Sequence, residues 1–246
     1  MATSTVSMQG VKQVSLVIAD ISGYTQFLKL RMLSLLHAEE IISTLLEAVV
    51  AEADYPLQLS KFEGDAVFLY AVAEPDPQAA ARSVYRQVHS FFDAFHETQP
   101  ELIRTTDGGC LCEACRRIGE LRLKAVVHYG EALFKRIRNH EELAGEDVIL
   151  VHRLLKNSVG VDEYIAVTDA FYRLHGELSG EPFRSTNERY DIGDVTLHVL
   201  PRLVPDLPSM QRAPLTRLRG VLEVFLRTGR AITQRLSRIT TAPSPR

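Results

Sequence analysis

The run Val14–Asp20 (VSLVIAD) constrains the fold most. Its apolar residues are continuous rather than alternating, and its Val and Ile content favours an extended backbone, so it reads as a buried strand. The strand closes on an acid, and Ile21-Ser22-Gly23 turns the chain. Apolar residues then recur at helical spacing from Leu33 to Ala53 (Leu36, Ile41, Leu45, Val49), and Pro56 stops that helix. Leu57–Glu63 and Ala66–Val72 flank Gly64-Asp65 and read as a hairpin. Glu74-Pro75-Asp76-Pro77 opens a second helix, with Ala80, Val84, Val88 and Phe91 on one face, expected to end near His96.

Thr105–Cys115 is a polar excursion rich in Gly and Cys. Leu121–His128 follows as a strand, Gly130 as a turn and Ala132–Arg136 as its partner, then a helix over Glu146–Lys156 and a strand over Tyr164–Thr168. Arg189–Leu200 ends a final hairpin that closes at Pro201. The order β α β β α β is the split-βαβ pattern of an α+β, ferredoxin-like sandwich with helices on one sheet face and extra C-terminal α/β elements. The expected partition is one domain over residues 12–200, with a Cys-containing insertion near 105–118, and a tail over 201–246.

Charge narrows the function classes. The tail holds nine arginines against Asp206 and Glu223, whereas residues 1–200 carry ten net negative charges. An acidic body argues against nucleic acid as the partner. No run reaches the roughly 18 apolar residues that a spanning helix needs. The start MATSTVSMQGVKQ lacks a signal-peptide pattern, and three cysteines make no disulfide framework, so the expected location is cytoplasmic.

Four segments, in order, resemble the class III adenylate/guanylate (nucleotidyl) cyclase homology domain, as a divergent bacterial branch. Ala19-Asp20-Ile21-Ser22-Gly23-Tyr24-Thr25 resembles the family's strand-ending Asp-Ile-x-Gly-Phe-Thr. Lys61-Phe62-Glu63-Gly64-Asp65 resembles its Lys-x-x-Gly-Asp hairpin, and Lys124-Ala125-Val126-Val127-His128-Tyr129-Gly130 its Arg-x-Gly-Ile-His-x-Gly strand. Gly145 followed by Arg153 resembles its Gly-x-x-Val-Asn-x-x-x-Arg helix.

The resemblance implies conversion of a nucleoside triphosphate to a 3′,5′-cyclic nucleotide and pyrophosphate. It assigns Asp20, Ile21 and Asp65 to two Mg²⁺ or Mn²⁺ ions, hard cations that prefer oxygen ligands. Taken singly, Asp20 is better read as a helix N-cap and Asp65 as a turn residue. Ile21, Ser22, Gly23, Tyr24 and Thr25 would offer backbone N–H groups to phosphate. Lys61 matches the base-reading position of members that use ATP, and Glu142 the second such position. Arg153 and Lys124 match basic positions that stabilise phosphate charge during the reaction. Each of these charged residues also fits an ordinary surface role.

One position departs from the pattern. Ile149 stands where the family has an asparagine, and loss of one preorganised donor costs on the order of 100- to 1000-fold in rate. His152 and Asn157 are nearby substitutes. The alternative reading is therefore a weak or inactive nucleotide-binding regulatory module on the same fold, and a second rival is a structural protein that uses its cysteines and basic tail. The aliphatic Val148–Val151 run suggests a helix more buried than usual. By resemblance the site forms in a head-to-tail homodimer, with metal carboxylates from one subunit and base-reading and arginine residues from the other.

Cys110, Cys112 and Cys115 supply most of a tetrahedral zinc shell, with His96 and His128 as candidate fourth ligands, or are three reduced thiols on a loop. In the tail, Leu215, Leu218, Leu222, Phe225, Ile232, Leu236 and Ile239 recur at three-four spacing among arginines. This reads as an amphipathic helix packed on its own domain or dimer mate, in preference to a coiled coil or an anionic membrane surface.

Overall fold

A computed structural model describes residues 6–23, 32–106, 110, 112–176 and 178–205. Its centre is an eight-stranded sheet. β1 (Val6–Ser22), β2 (Leu57–Glu63), β3 (Ala66–Val72) and β4 (Arg122–Ile137) lie in the order β2-β3-β1-β4. Neighbours in this group are antiparallel, as in a ferredoxin-like core. β6 (Tyr164–Thr168) adds in parallel beside β4, and β8 (Gly193–Pro201) and β7 (Arg184–Tyr190) extend the sheet beyond it. β5 (His140–Ala144) folds back on the far end of β4.

β1 lies inside the sheet because its second half is apolar on both sides. Val17, Ala19 and Ile21 enter one core with α1 (Met32–Ala51) and α2 (Pro77–Thr106). Val14, Leu16 and Ile18 enter a second core with α4 (Glu146–Arg153), which follows the short α3 (Glu113–Arg116). The helices thus cover both faces, not one: α1, α2 and α5 (Asp169–His175) pack on one face and α4 on the other. Val148, Leu150 and Val151 of α4 are buried, but Ile149 is 50% exposed, so only part of that run faces the core.

Three expected boundaries move. β1 runs on through Ile21 and Ser22, and the chain turns at Gly23, with φ +100°. α2 continues past His96 and through Pro100 to Thr106, because Gln99 and Ile103 stay buried beyond it. Tertiary contact there offsets the roughly 3 kcal/mol that an interior proline costs. Gly130 lies within the continuous β4, which turns instead at Arg138, with φ 57°, into β5. The missing side chain at Gly130 has another use: a Cβ there would run into the Asp147 carboxylate and His128. Tail residues 206–246, including the expected amphipathic helix, lie outside the described residues. Among the described residues no helix is long and apolar enough to cross a membrane.

Candidate functional site

Two carboxylates from separate elements meet at one end of the central strands. Asp20 is paired across the sheet with Ala66 on one side and Lys124 on the other. Asp65 occupies the tight β2–β3 turn, where Gly64 adopts φ +68°, and its carbonyl accepts from the Ile21 N–H at 2.9 Å. That bond ties the hairpin tip to the end of β1. Burial, with the charge of Asp65 beside it, pushes the Asp20 carboxyl up to about 6, although Lys124 pulls the other way. Asp65 is also raised, first by burial and then by Glu39 of α1, against its own backbone hydrogen bond and Lys124. The cluster therefore gathers like charge, which Lys124 offsets in part. Raising a carboxyl by burial and a like charge marks a place where a divalent cation would be stabilised.

The remaining residues expected at the site do not all join this cluster. Ile21 is fully buried and its N–H already serves Asp65, so that amide is not open to phosphate. The Ser22 hydroxyl donates to the Arg122 carbonyl at 3.3 Å. Tyr24 and Thr25 lie outside the described residues.

Lys61 is on the edge strand β2 and forms a 2.9 Å ion pair with Glu63. Glu63 also meets His152 of α4 at 3.0 Å. Burial pushes the Glu63 carboxyl up, but the Lys61 and His152 hydrogen bonds outweigh it and hold the group below its ordinary range. Sequence reasoning passed over Glu63, although it stands two residues from both Lys61 and Asp65 on the hairpin. Glu142 is half-buried on β5, opposite Lys135, and Arg153 pairs with Asp191 between β7 and β8.

The two substitutes for a donor at Ile149 are both engaged. His152 contacts Glu63 through Nε2 and the Val148 carbonyl through Nδ1, at 2.6 Å. Asn157 donates to the Leu154 carbonyl and the Tyr164 hydroxyl, both at 2.7 Å, and accepts from the Val159 N–H.

The three cysteines also converge, but on a different histidine from those expected. His37 of α1 places Nδ1 3.2 Å from Cys110 Sγ, 3.4 Å from Cys112 Sγ and 3.7 Å from Cys115 Sγ. His96 instead meets the buried Glu163 at 2.5 Å, and His128 lies between Thr168 and Asp147. A histidine 73 residues before the first cysteine carries no local spacing signal.

Comparison with known proteins places the chain in a lineage. The profile of a family described as protein of unknown function (DUF2652) matches residues 42–164. The uncharacterized protein Rv2561/Rv2562 of Mycobacterium tuberculosis is 32% identical over 176 residues, covering 68% of this chain and 76% of that one. The chain belongs to the DUF2652 family.

Among solved structures, the adenylyl cyclase CyaB from P. aeruginosa superimposes with TM-score 0.59 at 14% identity, covering 81% of this chain and 97% of that one. The guanylyl cyclase Cya2 gives 0.58 at 14% identity, covering 84% and 100%. The fold of this DUF2652 member is that of the class III adenylyl and guanylyl cyclase domains.

Proposed function

We propose that the protein is a class III-type nucleotidyl cyclase. It would convert a nucleoside triphosphate, ATP in preference, to the 3′,5′-cyclic nucleotide and pyrophosphate at a site shared between two copies of the chain. The observation that carries this reading is the Asp20–Asp65 pair, half-buried, mutually repelling and partly offset by Lys124. The donor set fits Mg²⁺ or Mn²⁺: two carboxylates, with the Ile21 carbonyl between them in the chain. Bound there, such ions would favour ionisation of the ribose 3′-hydroxyl and neutralise the triphosphate.

In the reaction the 3′-oxygen bonds to the α-phosphorus, the bond from that phosphorus to the β-bridging oxygen breaks, and the hydroxyl proton leaves to solvent. Asp20 and Asp65 would hold the cations. Lys124 would offer a positive charge to the phosphates from the same end of the sheet. Lys61, positioned by Glu63, would donate to a purine ring nitrogen, as an ammonium must. Glu142 would be the second base-reading residue. Arg153, released from Asp191, would stabilise charge on the phosphates from the other copy. Exposed Leu59 and Phe62 on the hairpin that carries Asp65, with Ile149 on α4, supply apolar surface for pairing.

The test is to incubate the purified protein with each nucleoside triphosphate and Mn²⁺ and to detect cyclic product by mass spectrometry. Asp20→Ala and Asp65→Ala serve as controls, and product that persists in both rejects this site. Ile149 favours a second reading. It is half-exposed where a hydrogen-bond donor is expected, and His152 and Asn157 are committed elsewhere. Nucleotide binding without product would assign the protein to that reading, a regulatory nucleotide-binding module.

A further inference from the structure

Three cysteines and a histidine, drawn from two distant parts of the chain, present four ligand atoms that all lie within 4.8 Å of one another. Tetrahedral zinc, with Zn–S of about 2.3 Å and Zn–N of about 2.0 Å, separates its ligand atoms by roughly 3.5–3.8 Å. The distance from His37 Nδ1 to Cys115 Sγ, 3.7 Å, falls in that range, and those to Cys110 and Cys112, 3.2 and 3.4 Å, with the 3.3 Å between Cys112 and Cys115, fall a few tenths of an ångström short of it. We propose that His37, Cys110, Cys112 and Cys115 form a structural Zn²⁺ site.

The donor set selects the metal. Three thiolates and one imidazole suit zinc, whereas hard cations prefer oxygen ligands, and four ligand atoms within 4.8 Å of one another close on one ion rather than on a cluster of several irons. Four protein ligands complete the tetrahedron and leave no position for water or substrate, so the site is structural rather than catalytic. The backbone supports it. The Cys112 N–H points at Cys110 Sγ and the Cys115 N–H at Cys112 Sγ, both at 3.4 Å, and such donors stabilise thiolates. Cys112 is the N-cap of α3, so the short helix itself sets the spacing of Cys112 and Cys115. Cys115 is buried, and Cys110 and Cys112 pack on the α1–α2 core, so the ligands are presented from a firm base.

Zinc there would join α1 to the connection between α2 and β4, segments more than 70 residues apart in sequence. His37 stands two residues before Glu39, whose charge bears on Asp65. The metal would therefore hold the helix that faces the carboxylate pair. The inference rests on the cluster alone and stands whether or not the protein is a cyclase.

The experiment uses the full chain purified under reducing conditions. Elemental analysis is expected to find about one zinc per chain. Replacement by Co²⁺ should give the intense visible absorption of a tetrahedral cobalt–thiolate centre. Cys112→Ser and His37→Ala should each lower retained metal to less than about a tenth of an equivalent after dialysis against a chelator, while Asp20→Ala retains it in full. Should the variants fail to fold, the wild-type protein still decides: all three thiols should be shielded from a thiol reagent with zinc bound and react once it is chelated. A folded, reduced wild-type protein that takes up neither zinc nor cobalt overturns the proposal. Undiminished binding by His37→Ala removes His37 from the ligand set and overturns it as stated.

Discussion

At the scale of single residues, Asp20 shows a conflict between stability and function. Its carboxyl is raised to about 6, first by burial and then by Asp65, so the metal-free protein at pH 7 holds a charge that its surroundings disfavour. Asp20→Asn is expected to stabilise the metal-free protein by about 1–2 kcal/mol at pH 7, since a tenfold change in proton affinity is worth about 1.4 kcal/mol. The same variant should lose the rise in melting temperature that Mn²⁺ gives the wild type. An unchanged Mn²⁺ response would remove Asp20 from the cation site.

Asp147 behaves in the opposite sense. The His128 hydrogen bond, with the Glu131 N–H, outweighs burial and holds its carboxyl below the ordinary range. A lowered native value means that Asp147 stabilises the fold above about pH 4 and that this contribution disappears as acid titrates it. Melting curves of wild type and Asp147→Asn should therefore differ at pH 7 and converge below about pH 4. A gap that stays constant with pH would show that the Asp147–His128 bond contributes nothing.

Among the elements, α2 depends on one polar residue. Gln99, fully buried, donates to the carbonyls of Ile118 at 2.7 Å and Leu121 at 3.0 Å, and so holds the entry to β4 against the helix. Leucine at this site would remove both bonds, with the Leu121 N–H left for the Ile118 carbonyl and Arg122 for the Leu121 carbonyl. Gln99→Leu should cost about 1–3 kcal/mol in denaturant unfolding, and a neutral result would mean that water replaces both bonds. The periodic apolar face of α2 is readable through Phe91, and the helix reads as ending near His96 until the buried contacts of Gln99 and Ile103 are known. β4 hides its continuity in the same way. Gly130 looks like a turn, yet its role is to leave room for Asp147 arriving from α4.

For the whole molecule, the decisive question is whether two copies share a site. If Asp20 and Arg153 act from different subunits, neither Asp20→Ala nor Arg153→Ala alone makes cyclic product, but a mixture does. Random exchange puts one intact site in half of the dimers, so the mixture should recover about a quarter of wild-type activity. Mixtures no more active than the separate variants would place both residues in one subunit's site or exclude Arg153. Asp191 now occupies Arg153, so pairing must displace that contact, and Asp191→Ala is the natural companion variant.

Local chemistry made much of this protein readable from the chain alone. The hairpin Leu57–Glu63/Ala66–Val72, the buried half of β1 and the strand Tyr164–Thr168 follow from β-branched runs and a Gly-Asp turn, which act through neighbours in sequence. The placement of Asp20 against Asp65 followed from their common position at strand ends. Tertiary structure alone decided that His37 would meet the cysteines, that Glu63 would link Lys61 to His152, and that α4 would cover the opposite face. The contacts of His37 with Cys110 and of Glu63 with His152 join residues 73 and 89 positions apart. Their partners are chosen by how whole faces pack, and no periodicity within one segment records that choice.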